Sequence, residues 1–207
     1  MIKLEYYGQN NKLRAAVVYM NHLFIYPPFL NNIYRHKYFD MADTEPQKIV
    51  GMIKDSELKI KVDEYFSPAP SQRACSYDDP KNPFSIHVNW WTLNRNVHSI
   101  CNTLMHQCVH ALNAANPTLY FGHGDNSHMG KDNTAPFRIA YFAQAAVANN
   151  VKIFESMIHE DNSNIKSIEE HNMAEVQNML CEEGIMSFYD HLLIMQPEEP
   201  NQLAITG

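Results

Sequence analysis

Cysteine is scarce in this chain. There are four in 207 residues (Cys75, Cys101, Cys108 and Cys181), and no two stand in a CxxC pair. Cys101 and Cys108 are seven apart on one predicted helix, about 10 Å along its axis, too far to bridge. A disulfide framework is therefore not expected, and a reducing compartment suits the chain. Positive charge is also thin: 16 Lys and Arg against 23 Asp and Glu give a net charge of -7, and the basic residues are scattered rather than clustered. Such a chain is a poor general binder of nucleic acid or of an anionic membrane surface, so neither is expected as a partner. No apolar run approaches the roughly 18 residues of a membrane span. The opening MIKLEYYGQNNK has no apolar core of a secretory signal, so a cytoplasmic location is expected, with export by a route of another kind left open. Repeats and low-complexity tracts are absent, and oligomeric state is not legible.

What remains is an ordinary globular composition, 45% hydrophobic and 19% charged, in a chain long enough to bury a core unaided. A single domain over 1–207 is expected. Its N-terminal α/β part runs to about 115, and a mostly helical part covers about 116–207.

The pattern along the chain gives the elements. A strand is expected over 2–7, then a strand or helix around 13–19 that Pro27-Pro28 breaks. A helix is expected over 29–41, and another from Thr44-Glu45-Pro46 to about Lys54, with Pro in its first turn. Glu57–Phe66 alternates Leu58, Ile60 and Val62 against charge, as a half-buried strand does. Residues 67–82, rich in Pro and Asp, read as loop. In Phe84–Trp91, Phe84, Ile86, Val88 and Trp90 share one face and Ser85, His87, Asn89 and Trp91 the other, a second strand. Helices follow over about 97–115 and 134–149, joined by a glycine-bearing loop, and helical periodicity resumes at 151–159 and 165–195. Strands come early and helices late, which is an α+β order.

The 97–115 helix carries the chemistry. At about 100° per residue, Val97, Ile100, Cys101, Leu104, Cys108, Ala111 and Leu112 gather on one side. Ser99, Asn102, Thr103, His106, His110 and Asn113 gather on the other. Both histidines thus leave the core stripe together, one turn apart, pointing the same way. Two imidazoles at i and i+4 can converge on one Zn²⁺ at about 2.0–2.1 Å. Cys108 falls on the core stripe and is a poor candidate nucleophile.

The segment His106-Gln107-Cys108-Val109-His110 resembles the H-E-x-x-H helix of the zincin metallopeptidases. The resemblance covers about residues 84–145 and is specific at the histidine pair. It implies a zincin-like fold: a small mixed N-terminal sheet, an active-site helix and a helical C-terminal half. It also implies a zinc-dependent endopeptidase acting on a protein or peptide through a metal-activated water. In that family the Glu between the histidines takes the water's proton. Gln107 stands there in this chain, nearly isosteric and unable to accept a proton. This form is therefore expected to be catalytically inactive. Either the Gln is an engineered replacement, which the intact surroundings favour, or the chain is a natural pseudoprotease, a zinc- and peptide-binding interaction module.

A catalytic zinc keeps three protein ligands and one open position. Asn113 and Asn116 occupy the places where the metzincin continuation H-x-x-G-x-x-H needs Gly and His. In Tyr120-Phe121-Gly122-His123-Gly124-Asp125-Asn126-Ser127-His128, His123 lies between two glycines that permit close backbone approach. The loop resembles that of compact SprT-like zincins, though no CxxC ribbon follows and the acidic charge does not suit a DNA-bound protease. His123 ranks first as third ligand, His128 second and Asp125 third. A gluzincin would instead take a Glu from Glu155, Glu160, Glu169, Glu170 or Glu175. Arg138 and Tyr141, on the next helix, are candidate oxyanion donors. Phe137, Ile139, Tyr141 and Phe142 read together as core, as does Trp90. The Phe84–Trp91 strand is a candidate edge for substrate.

Overall fold

A computed structural model of the chain describes residues 1–68, 74–76, 84–124, 130–150 and 152. The helical readings at 153–159 and 165–195, and the five later glutamates, lie outside those residues.

Within them the architecture is α+β. Strands β1 (Lys3–Tyr6), β2 (Lys59–Tyr65), β3 (Ala74–Ser76) and β4 (Ser85–Asn89) form one mixed sheet in the order β1-β2-β4-β3. β1 pairs parallel with β2, and β2 parallel with β4, while β3 runs antiparallel along the far side of β4. Parallel neighbours need crossovers. Between β1 and β2 come α1 (Asn11–Leu23), α2 (Pro27–Tyr34) and α3 (Pro46–Asp55). After β4 come α4 (Val97–Ala114) and α5 (Ala135–Asn149), which pack along each other, and α1 packs against α4 and β1.

β2 keeps its alternation: Ile60 and Val62 are buried, while Lys59, Lys61 and Glu64 are exposed. β4 does not. Ser85 and Asn89 are buried along with Ile86 and Val88, while His87, on the same face as Ser85 and Asn89, is half-buried; β4 is an interior strand, paired with β2 on one side and β3 on the other. Buried Asn89 is satisfied at both ends of its amide: it accepts from the Ser67 and Trp91 N–H groups and donates to the Ser67 carbonyl.

The open choice between strand and helix around 13–19 resolves as helix α1, capped by the Asn10 side chain on the Leu13 N–H at 3.0 Å. Four local expectations are corrected here. Pro27-Pro28 starts α2 rather than ending an element, since proline at the first helical positions gives up an N–H that has no partner there anyway. The stretch 67–82 contains β3, too short to show periodicity. Trp90 is not core: β4 ends at Asn89, a 3₁₀ turn takes Trp90–Thr92, and Trp90 is 49% exposed. The Phe84–Trp91 segment is also no edge, because β3 closes its outer side.

Helix α4 is as its pattern predicts. Asn96 caps it, accepting from the Ser99 N–H at 3.0 Å. Val97, Ile100, Cys101, Leu104, Cys108, Ala111 and Leu112 are buried. His106 and His110 sit half-buried on the other side. α5 carries Ala140, Ala143 and Ala146 on its buried face, small side chains that let it lie close to α4. No helix among the described residues is long and apolar enough to cross a membrane.

Candidate metal centre

Beyond α4 the chain turns back on itself, and Asn113 fixes how. Its side-chain amide donates to the Leu119 carbonyl at 2.8 Å, and its oxygen accepts from the Phe121 N–H at 2.9 Å. Both bonds hold the returning strand of loop against the polar face of α4, one turn after His110. Phe121 is buried in the core beside them. Gly122 follows, where an added Cβ would stand 3.2 Å from the Tyr120 hydroxyl, and Gly124 has a φ of +73°, in the left-handed region. The Gly124 N–H donates to the Tyr120 hydroxyl at 2.8 Å. These constraints turn His123 inward, where it is 7% exposed.

The result is a triangle of imidazole nitrogens. His110 Nε2 lies 3.1 Å from His106 Nε2 and 2.9 Å from His123 Nε2, and His123 Nε2 lies 3.2 Å from His106 Nε2. Hydrogen bonding cannot account for it. Each neutral imidazole nitrogen is either a donor or an acceptor. Among three nitrogens at least two must be of the same kind, so at least one of the three close pairs is unfavourable. Three lone pairs aimed at a shared cation resolve this. Four-coordinate zinc with bonds of about 2.0–2.1 Å holds its nitrogen ligands about 3.3 Å apart, close to the spacing here. His106, His110 and His123 are thus placed to hold a metal ion. Among the described residues the cluster contains no carboxylate or thiolate, which suits an imidazole-favouring ion.

Electrostatics point the same way. The His110 imidazole is pushed down to about 4, first by burial and then by the neighbouring His123. It stays neutral at neutral pH, the form that ligates a metal. Phe137 of α5 closes one side, with its ring centroid 4.6 Å from that of His106 and 5.1 Å from that of His123. The other side opens into a cleft of about 490 Å³ that His110 and His123 both line.

The remaining candidates fall apart from the triangle. His128 and Asp125 lie outside the described residues. Gln107 is half-buried between the two ligands on α4 and its side chain makes no hydrogen bond within the described residues. Tyr141 is not core: it is 45% exposed, one turn beyond Phe137 on α5. The Arg138 guanidinium sits 5.9 Å from the Tyr141 ring centre, and its buried Nε has no hydrogen-bond partner among the described residues. Neither residue makes a hydrogen bond or ring contact to the three histidines. Cys108 and Cys101 are buried free thiols whose ionisation burial opposes, so no nucleophile arises there. Asn113 and Phe137 are the site residues whose roles the sequence did not announce. Asn113 shares the polar face with the ligands, which was the available signal.

No protein-family model, curated protein sequence or solved structure matches the chain. The centre therefore stands on its own geometry.

Proposed function

We propose that the chain is a zinc-dependent endopeptidase of the zincin kind, held inactive by Gln107, with His106, His110 and His123 as its zinc ligands. The observation that carries this is the convergence of three Nε2 atoms beside an open cleft, with residue 107 between two of the ligands on one helix. Zinc bound there supplies a Lewis acid that polarises a peptide carbonyl and makes water a better nucleophile. The chain's own residues do the rest. Three neutral imidazoles fix the position of the ion. Residue 107 is where a proton must be taken up, and a Gln amide hydrogen-bonds without accepting one. Arg138 and Tyr141 are the proposed donors to the oxyanion. A peptide substrate would lie extended along the sheet edge formed by β3, whose only partner among the described residues is β4.

Gln107→Glu tests this directly. Purified with one zinc, that variant should cleave unfolded protein substrates, and a chelator should stop it. Zinc binding without any gain of hydrolysis would overturn the peptidase reading. It would favour the second reading, which Gln107 itself supports: a non-catalytic zinc- and peptide-binding module.

A further inference from the structure

The cleft beside the three histidines has an asymmetric lining. It is formed by Asn113, Ala114, Pro117, Thr118, Leu119 and Tyr120, with Gly122 and Gly124 at the loop that carries His123. Asp43 is the only Asp, Glu, Lys or Arg among the described lining residues. It arrives from the segment before α3. Its N–H donates to the Tyr120 carbonyl at 2.9 Å and its Oδ1 accepts from the Tyr120 N–H at 2.7 Å. That anchoring uses one carboxylate oxygen. No Lys, Arg or His forms an ion pair with Asp43 among the described residues. The carboxylate is thus fixed in place, exposed and without a cation among the described residues.

The rest of the lining suits a long cationic side chain. Ala114, Pro117 and Leu119 offer apolar surface to a methylene stem, which Lys and Arg bury readily. Tyr120, half-exposed with its hydroxyl already held by Gly124, presents a ring to a cation. Asp43 meets the charge at the end, through the carboxylate oxygen that the Tyr120 N–H does not use. Tyr120, to which Asp43 is bonded, is three residues from His123, so the carboxylate's anchor and the ligand lie within about 11 Å along the chain. The net charge of -7 adds a long-range pull on basic peptides.

We infer that this cleft is a subsite for a Lys or Arg side chain, so that the peptide taken at the histidine centre is basic next to its reacting bond. The inference rests on the peptidase reading for what the peptide undergoes, but not for the binding itself.

The test uses small probes, because no substrate sequence is needed. The full-length chain, with and without zinc, is titrated with butylguanidinium, butylammonium and the neutral isostere butylurea while amide NMR shifts are followed. The two cations should shift Asn113, Tyr120, Gly122 and Gly124 with saturation. They should bind about fivefold more tightly than butylurea, the preference shrinking in salt. Asp43→Asn keeps the oxygen that accepts from the Tyr120 N–H and should erase the preference while zinc stoichiometry stays unchanged. Equal binding of butylurea, no saturable shift at these residues, or a preference that survives in Asp43→Asn would each overturn the subsite. Zinc content is read separately on the same samples. Failure of the metal centre and failure of the subsite are therefore distinguishable.

Discussion

His110 Nε2 stands 2.9 Å from His123 Nε2, a helical residue and a loop residue thirteen positions apart brought to contact at the same atom of each ring. Two like nitrogens this close are stable together when they share a cation or, for one proton, with each other. The third nitrogen, on His106, leaves the cation as the arrangement that satisfies all three. The tests below follow from that triangle and from the parts that hold it.

Asn113 is the clamp on the loop that delivers His123. Asn113→Ala removes a donor to Leu119 and an acceptor from Phe121. It should weaken metal affinity by about 10–100-fold, as loss of an orienting partner does, and cost about 1–3 kcal/mol of stability through the groups it leaves unpaired. Competition with a chromogenic chelator measures the first effect and denaturant melts the second. Unchanged affinity would show that His123 is held by other means.

The metal-free protein should lose stability in mild acid. Burial holds His110 down to about 4 and also lowers His98, which is 3% exposed with no hydrogen-bond partner on either ring nitrogen among the described residues. Both are neutral when folded, whereas the unfolded chain takes up their protons from an ordinary value of 6.5. Their contribution is therefore fully present above pH 6.5 and is lost as pH falls below it, for His110 towards about 4. Each group adds a slope of up to about 1.4 kcal/mol per pH unit in that window. Urea melts of chelator-treated protein at pH 7.5 and 5.0 check it, and a His98→Gln, His110→Gln variant should show a flatter profile.

Cys101 and Cys108 should resist thiol reagents in the native state and react only on unfolding. Both are buried and both have ionisation pushed up by that burial. Rapid stoichiometric labelling of either in native buffer, followed by mass spectrometry of the peptides, would contradict the packing of α4.

Helix α4 was legible because its two faces are chemically distinct. Seven apolar positions and two histidines separate on the wheel, and all seven are buried, together with His98, Met105 and Val109 beside them. His123 was legible because glycines flank it. Other features depend on contacts between distant parts of the chain. β4 reads as a half-buried edge from its alternation, yet Ser85 and Asn89 are buried and three residues of a proline-rich stretch pair along its outer side. Trp90 reads as core by the same alternation, but the strand stops one residue earlier. Pro27-Pro28 signals a break or a start equally well, and the helix that follows decides. Asp43 reaches the cleft through pairing with Tyr120, 77 positions away, and no local pattern encodes that.

His106, His110 and His123 are placed to hold one metal ion, and we propose that it is zinc. Elemental analysis of the purified chain beside His123→Ala measures it most directly. One zinc per chain in the former, and its loss in the latter with the fold intact by circular dichroism, is the predicted result. A folded chain that takes up no stoichiometric metal from a zinc-replete buffer, or that keeps its zinc undiminished without His123, would contradict it.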